Sequence, residues 1–239
     1  MDVQPGVKKP SDFEKLLIMN TKEFKELVEK RKVWVECTKA NKFDFELLSS
    51  LYRDPSHFIY ELLQNAEDAG AESISFNLYK DNLEIFHDAK NDFNFKDVEA
   101  VTGYGIRTKI NKIGEFGIGF KSVYGITKSP IIESGPYHFQ ISDFVIPNPL
   151  KLKNNSGTRI TLPFDDPSRK DEIYKLVENK LQDIDLKTLL FLTNIKEIKW
   201  KIPTQTGIYK SVITSLLEKN TKTVSVASIT DDEKCVEKY

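Results

Sequence analysis

Cysteine, histidine, methionine and tryptophan are scarce in this chain of 239 residues, with two, three, two and two copies. The cysteines, Cys37 and Cys235, lie far apart and imply no disulfide framework. His57, His87 and His138 stand singly, so no cluster with metal-ligand spacing arises. Net charge is nearly absent too: 35 Lys and Arg balance 36 Asp and Glu to −1. That excludes a generally basic nucleic-acid binder and leaves only a local patch open. No apolar run approaches the roughly 20 residues of a membrane span. Residues 1–18 carry Lys, Asp and Glu where a signal peptide needs an apolar stretch. The expectation is a reduced, cytoplasmic protein.

What is present is an apolar fraction of 39% and a charged fraction of 30%, enough for one well-solvated core at this length. Residues 1–10, with Pro5, Gly6 and Pro10, read as a lead-in. Ser11 and Glu14 have capping-box spacing before a short helix. Further helices are predicted at 21–32, with Phe24, Leu27 and Val28 on one face, and at 43–52, ending before Pro55. Ser56 can cap a helix over 57–69 that stops at Gly70. The period then changes: Ile74, Phe76 and Leu78 alternate with Ser73, Ser75 and Asn77, a strand signal. The turn 80–82 leads to a partner strand at 83–87. A short helix at 95–101 is followed by 103–125, which holds six of the eleven glycines. Strand-like runs fall at 130–133, 137–141 and 158–162, then a helix at 169–181. Short helix and strand alternate over 186–191, 195–201, 209–213 and 223–229. No linker separates two cores. The reading is a helical extension over 1–40 and one α+β domain over 41–239.

Two stretches carry chemistry. In the helix 57–69, Glu61, Asn65 and Asp68 sit at i, i+4 and i+7, within about 60° of one another on one face. Ile59, Leu62, Leu63 and Ala66 take the opposite side. A solvated polar face would look similar, but asparagine is a poor residue within a helix, and this face has no Lys or Arg. An amide one turn from a carboxylate suits a metal-bound phosphate: the amide oxygen ligates a hard cation and the carboxylate orients water. The second stretch runs from Ile113 to Tyr124, with Gly114, Gly117 and Gly119 before a segment that can start a helix at 118–120. Glycines let backbone N–H groups approach an anion, and they equally serve a tight turn between packed elements. The spacing fits neither a Walker loop nor a dinucleotide fingerprint.

Read together, Glu61-Leu-Leu-Gln-Asn65-Ala-Glu-Asp68-Ala69 and Gly114-Glu-Phe-Gly-Ile-Gly-Phe120 resemble the N-box and second glycine box of one ATPase superfamily. It joins gyrase, the ninety-kilodalton heat-shock chaperones, sensor histidine kinases and mismatch-repair ATPases. The wording of 51–71, of Gly119-Phe-Lys-Ser-Val-Tyr124 and of 189–198 is similar to the sacsin-type branch. The resemblance spans about residues 40–200.

It implies a two-layer α/β sandwich of the Bergerat type, with a mixed, mostly antiparallel sheet and helices on one face. It also implies ATP and Mg²⁺ as cofactors. By resemblance, Glu61 is the general base for the attacking water and Asn65 the Mg²⁺ ligand. The backbone of Gly114, Gly117, Ile118, Gly119 and Phe120 cradles the phosphates. Thr158 joins the adenine-binding network, and Lys109, after Thr108, is a phosphate contact where a lid begins. The family's first glycine box is replaced by His87-Asp-Ala-Lys-Asn-Asp-Phe93, which has no glycine. Asp88 is the candidate to accept the adenine amine, while a strict count from Leu83 places His87 there. Lys121 reads as a helix flank rather than a phosphate contact.

The implied function is Mg-dependent ATP binding and slow hydrolysis that drives conformational change in a larger protein, chaperone-like or defence-type. The alternative is a non-hydrolysing nucleotide-binding or scaffold module. Expected partners are ATP or ADP, C-terminal domains beyond Tyr239 and a nucleotide-dependent homodimer. Neither a membrane nor a nucleic acid is expected.

Overall fold

Alternation at the end of the first long helical region folds as it reads. Strand β1 (Ser73–Tyr79) turns at 80–81 into β2 (Asn82–His87), pairing Tyr79 with Asn82 and Ile74 with His87. A computed structural model describes residues 21–41, 57–103, 119–151, 156–218, 221–230 and 233–238. The helices predicted from Ser11 and at 43–52 and the Ser56 cap lie outside them.

The hairpin is the middle of a ten-stranded sheet. Added strands are β3 (Ile131–Ser134), β4 (Tyr137–Ser142), β5 (Ile146–Pro149), β6 (Thr158–Pro163), β7 (Glu197–Ile202), β8 (Gln205–Glu218), β9 (Thr221–Thr230) and β10 (Glu233–Lys238). The spatial order is β10-β9-β8-β7-β1-β2-β6-β3-β4-β5. Among these strands β1 and β7 pair parallel, and every other pair is antiparallel. Strand β5 is absent from the sequence reading because it holds Pro147 and Pro149. As an edge strand it can carry prolines that a central strand would reject.

One face of the sheet is apolar. Ile74, Phe76 and Leu78 of β1, Leu83 and Ile85 of β2, Ile160 and Leu162 of β6 and Ile198, Trp200 and Ile202 of β7 are all buried. Ser75, Asn77, Glu84 and Arg159 on the other face are only partly covered, and Lys199 is exposed. Four α-helices join the apolar face in one core: α1 (Lys22–Ala40), α2 (Phe58–Asp68), α3 (Phe95–Val101) and α4 (Lys170–Gln182). Each apolar side chain removed from water there is worth roughly 1.5–3 kcal/mol. The layout is the expected one: two layers, a mixed and mostly antiparallel sheet, and helices on one face.

Helix α1 starts where predicted, with the Thr21 hydroxyl accepting from the Phe24 amide at 3.3 Å, but runs to Ala40 rather than 32. Its first half enters the main core through Phe24 and Leu27. Its second half buries Val35 against Val145 and Ile146, a contact that helical periodicity alone does not disclose. No helix among the described residues is long and apolar enough to cross a membrane.

Candidate functional site: a polar helix face against a glycine turn

Helix α2 divides as its sequence pattern requires. Phe58, Ile59, Leu62, Leu63 and Ala66 are buried, Glu61 and Asn65 are half-buried, and Asp68 is exposed. Asp68 accepts a hydrogen bond from Gln64 Nε2 at 2.8 Å, one turn back along the helix. The Glu61 and Asn65 side chains have no hydrogen-bond or ion-pair partner among the described residues. Two half-buried polar groups one turn apart thus share one face of the helix.

That face looks onto a 3₁₀ helix, Gly119–Gly125, which packs directly on α2. The Glu61 carboxylate lies against the Gly119 α-carbon, so that a Cβ at 119 would overlap Oε2. Glycine here serves close approach. The next residue, Phe120, is buried in the core and anchors the turn. Thus the fold brings together Glu61 of the first motif and Gly119 and Phe120 of the second, distant in sequence. Gly114, Gly117, Ile118, Thr108 and Lys109 lie outside the described residues.

A second polar row crosses the sheet on the helix side. His87 ends β2 opposite Thr158 on β6, and Thr158 is opposite Ser134 on β3. The Ser134 and Thr158 hydroxyls are hydrogen-bonded at 2.6 Å, and Ser134 Oγ accepts from the Phe93 amide at 2.9 Å. All three side chains are buried. His87 Nδ1 is enclosed with no hydrogen-bond partner among the described residues, and burial pulls the ring's pKa down to about 4, against a smaller upward pull from Asp88. The imidazole is neutral at pH 7. Gly157 enters this row at φ +83°, and a Cβ there would meet the His87 carbonyl oxygen at 2.5 Å. The Ser-Gly-Thr wording is thus a requirement of backbone shape.

Asp88, next in sequence, points elsewhere. Its Oδ1 accepts from the amides of Glu72 and Ser73, both at 2.8 Å, and its Oδ2 accepts from the Ser73 hydroxyl at 2.7 Å. Burial alone would raise its pKa, but the Ser73 amide and hydroxyl and the Glu72 amide hold it below the ordinary carboxylate value. The carboxylate caps the start of β1.

Two further residues escaped the motif reading. Glu67 is buried, and its carboxylate accepts from the amides of Thr193 and Asn194 at 2.7 Å and of Ile195 at 2.9 Å. The signal was legible: four residues after Leu63, Glu67 falls on the apolar side of α2. Lys121 is also buried rather than flanking. Its Nζ donates to the carbonyls of Val101 at 2.9 Å and Phe144 at 2.7 Å and lies 5.2 Å from the centre of the Tyr124 ring.

Comparison with known proteins agrees with the motifs. No protein-family model matches the chain. The chain resembles the sacsin-type branch of the gyrase, chaperone and mismatch-repair ATPase superfamily. Human sacsin is 32% identical over 132 residues, 46% of this chain and 3% of sacsin. Protein NO VEIN of Arabidopsis thaliana is 29% identical over 189 residues, 65% of this chain and 7% of that protein. The chain thus spans less than a tenth of either relative. Among solved structures, the N-terminal domain of a DNA repair protein overlays with a TM-score of 0.49 at 14% identity, over 78% of this chain and 73% of that one. The Aquifex aeolicus MutL ATPase domain complexed with ADP overlays with a TM-score of 0.44 at 11% identity, over 70% and 85%.

Proposed function

We propose that this chain is a nucleotide-binding module that binds Mg·ATP and hydrolyses it slowly, driving conformational change in a larger protein. The observation that carries the reading is the Glu61 carboxylate seated against Gly119. It brings the acid of one motif to the backbone of the other, where a general base beside a phosphate turn belongs. In phosphoryl transfer to water the protein chiefly positions groups and stabilises charge.

The residues on hand fit a hard cation. Among the described residues no three His, Cys, Asp or Glu side chains converge. Asn65, half-buried one turn from Glu61, would offer Mg²⁺ its amide oxygen, a hard donor, with phosphate and water oxygens completing the shell. The ion, when bound, supplies charge neutralisation on the phosphates. Glu61 takes the proton of the attacking water, Gly119 and Phe120 present backbone to the phosphates, and Thr158 belongs to the nucleobase end. Gly114, Gly117, Ile118 and Lys109 complete the cradle in this reading. The module acts in the cytoplasm with ATP and ADP, with further domains and with a second copy when nucleotide is bound.

One observation favours a non-hydrolysing module instead. The segment 88–93 has no glycine, and the Asp88 oxygens already serve Ser73 and Glu72. Calorimetry with ATP, ADP and GTP, with and without Mg²⁺, combined with phosphate release from wild type and Glu61→Ala, separates the readings. ATP binding with phosphate release that Glu61→Ala abolishes is the expected result. Binding without release establishes a non-hydrolysing nucleotide-binding module, and no binding leaves only the scaffold form of the second reading.

A further inference from the structure

Lys121 is a charge in an unfavourable place. Its side chain is 4% exposed, and no carboxylate pairs with it among the described residues. The charged neighbour from another element is Arg31 of α1, itself buried and donating through Nη2 to the Glu99 carbonyl at 3.1 Å. Two cations thus meet the carbonyls of α3's last turn, Arg31 at Glu99 and Lys121 at Val101. Burial, and then the Arg31 charge, pulls the Lys121 pKa down to about 7, so near neutral pH the amine is poised between its two forms and a nearby anion favours the ammonium. An unpaired buried cation normally costs stability, and an apolar side chain of similar size is often neutral or better in such a place.

The geometry says what the lysine holds. Val101 ends α3, Phe144 lies in the turn between β4 and β5, and Lys121 is two residues past Gly119. Asp143 and Phe144 have φ of 45° and 66°, a left-handed backbone that non-glycine residues adopt at a cost. The Phe144 carbonyl accepts from both Lys121 Nζ and the Tyr124 hydroxyl, and its ring packs on Tyr124 with centroids 4.4 Å apart. A strained turn and a helix end therefore converge on the amine of a residue next in sequence to the Gly119–Phe120 turn.

We propose that Lys121 is a positioning residue for anion binding at the Gly119–Phe120 turn: it fixes that turn against Val101 and Phe144 and places behind it a positive charge that phosphate would balance. The ammonium does not touch the nucleotide. It acts through the placement of the backbone in front of it and through its field. The inference rests on the nucleotide-binding reading, and it accounts for a buried charge that packing alone does not.

The test compares wild type, Lys121→Met and Lys121→Arg for thermal stability and for binding of Mg·ATP, ADP and adenosine by calorimetry. Lys121→Met is expected to melt at the same temperature or higher. It is expected to bind ATP and ADP about tenfold or more weakly, from a charge lost within a protein interior, with adenosine affinity unchanged. Lys121→Arg restores much of the loss. A folded Lys121→Met that binds ATP like wild type overturns the proposal and leaves the nucleotide reading intact. So does an equal loss of ATP and adenosine affinity in Lys121→Met, which would make Lys121 a structural staple. If wild type binds none of the three ligands, the nucleotide reading falls and this inference falls with it.

Discussion

Glu61 and Gly119 touch, carboxylate to α-carbon, across 58 residues of sequence. The atom that fills the space a Cβ would need is the far end of a flexible side chain, not backbone. Gly119→Ala is therefore expected to push the Glu61 carboxylate aside while changing stability by about 1 kcal/mol or less. Phosphate release should fall sharply. Paired thermal melts and single-turnover hydrolysis check this, and a variant with intact turnover would mean that the placement of Glu61 is not used in catalysis.

Glu61 and Asn65 separate chemistry from binding. Glu61→Ala should leave ATP affinity within a few fold and lower hydrolysis by about 10²–10⁴, the usual value of a positioned general base. Asn65→Ala should weaken Mg·ATP itself by roughly 1–3 kcal/mol. The reverse pattern in calorimetry and phosphate release would exchange the two roles. No effect from either would reduce the α2 face to solvated surface.

Glu67 offers a control on the same helix. Glu67→Gln keeps the shape but sets an amide NH₂ against one of three backbone N–H donors at 193–195. The expected loss is about 1–3 kcal/mol of stability, seen in denaturant melts, with the nucleotide affinity of the folded fraction unchanged. Altered affinity at full folding would place Glu67 in the site.

His87 predicts the acid side of the stability curve. Its folded pKa of about 4 lies below its ordinary 6.5, so the unfolded chain takes up the proton first. Its contribution is fully present above pH 6.5 and is lost as pH falls toward 4, by roughly 3 kcal/mol in all. Denaturant melts between pH 7 and 4 measure the slope. His87→Leu should flatten it, and an unchanged slope would locate the acid sensitivity elsewhere.

These predictions draw unequally on the sequence. Helix α2 and its two faces were legible because a 3.6-residue period and a mid-helix asparagine are local facts, and β1 and β2 were legible for the same reason. Strand β5 was not, since its prolines are tolerated because it is an edge strand among the described residues, a fact about sheet order rather than about 146–149. The site divided in the same way. Glu61 and Asn65 could be read from spacing, and Gly119 from its motif, but not that the two would meet. Lys121 was misread as a flank because its burial depends on Val101 and Phe144, carbonyls supplied from outside its own segment. Asp88 and His87 could not be ordered by counting. Only the three-dimensional start of β1 shows the Asp88 carboxylate committed to Ser73 and Glu72.

The parallel pairing of β1 with β7 sets how little of the chain can fold alone. Ser73 lies beside Glu197, so the hairpin at the centre of the sheet keeps an open edge until most of the chain has been made. Such distant pairing is slow, because the intervening loop must be closed before the contact stabilises anything. A product cut before Glu197 would leave β1, with Ile74, Phe76 and Leu78, paired on its β2 side alone, the kind of edge that recruits other chains. The Glu67 carboxylate grips 193–195 just ahead of β7 and so ties that strand's entry to helix α2. The smallest useful fragment for ligand work therefore reaches beyond the motifs, through the end of β7.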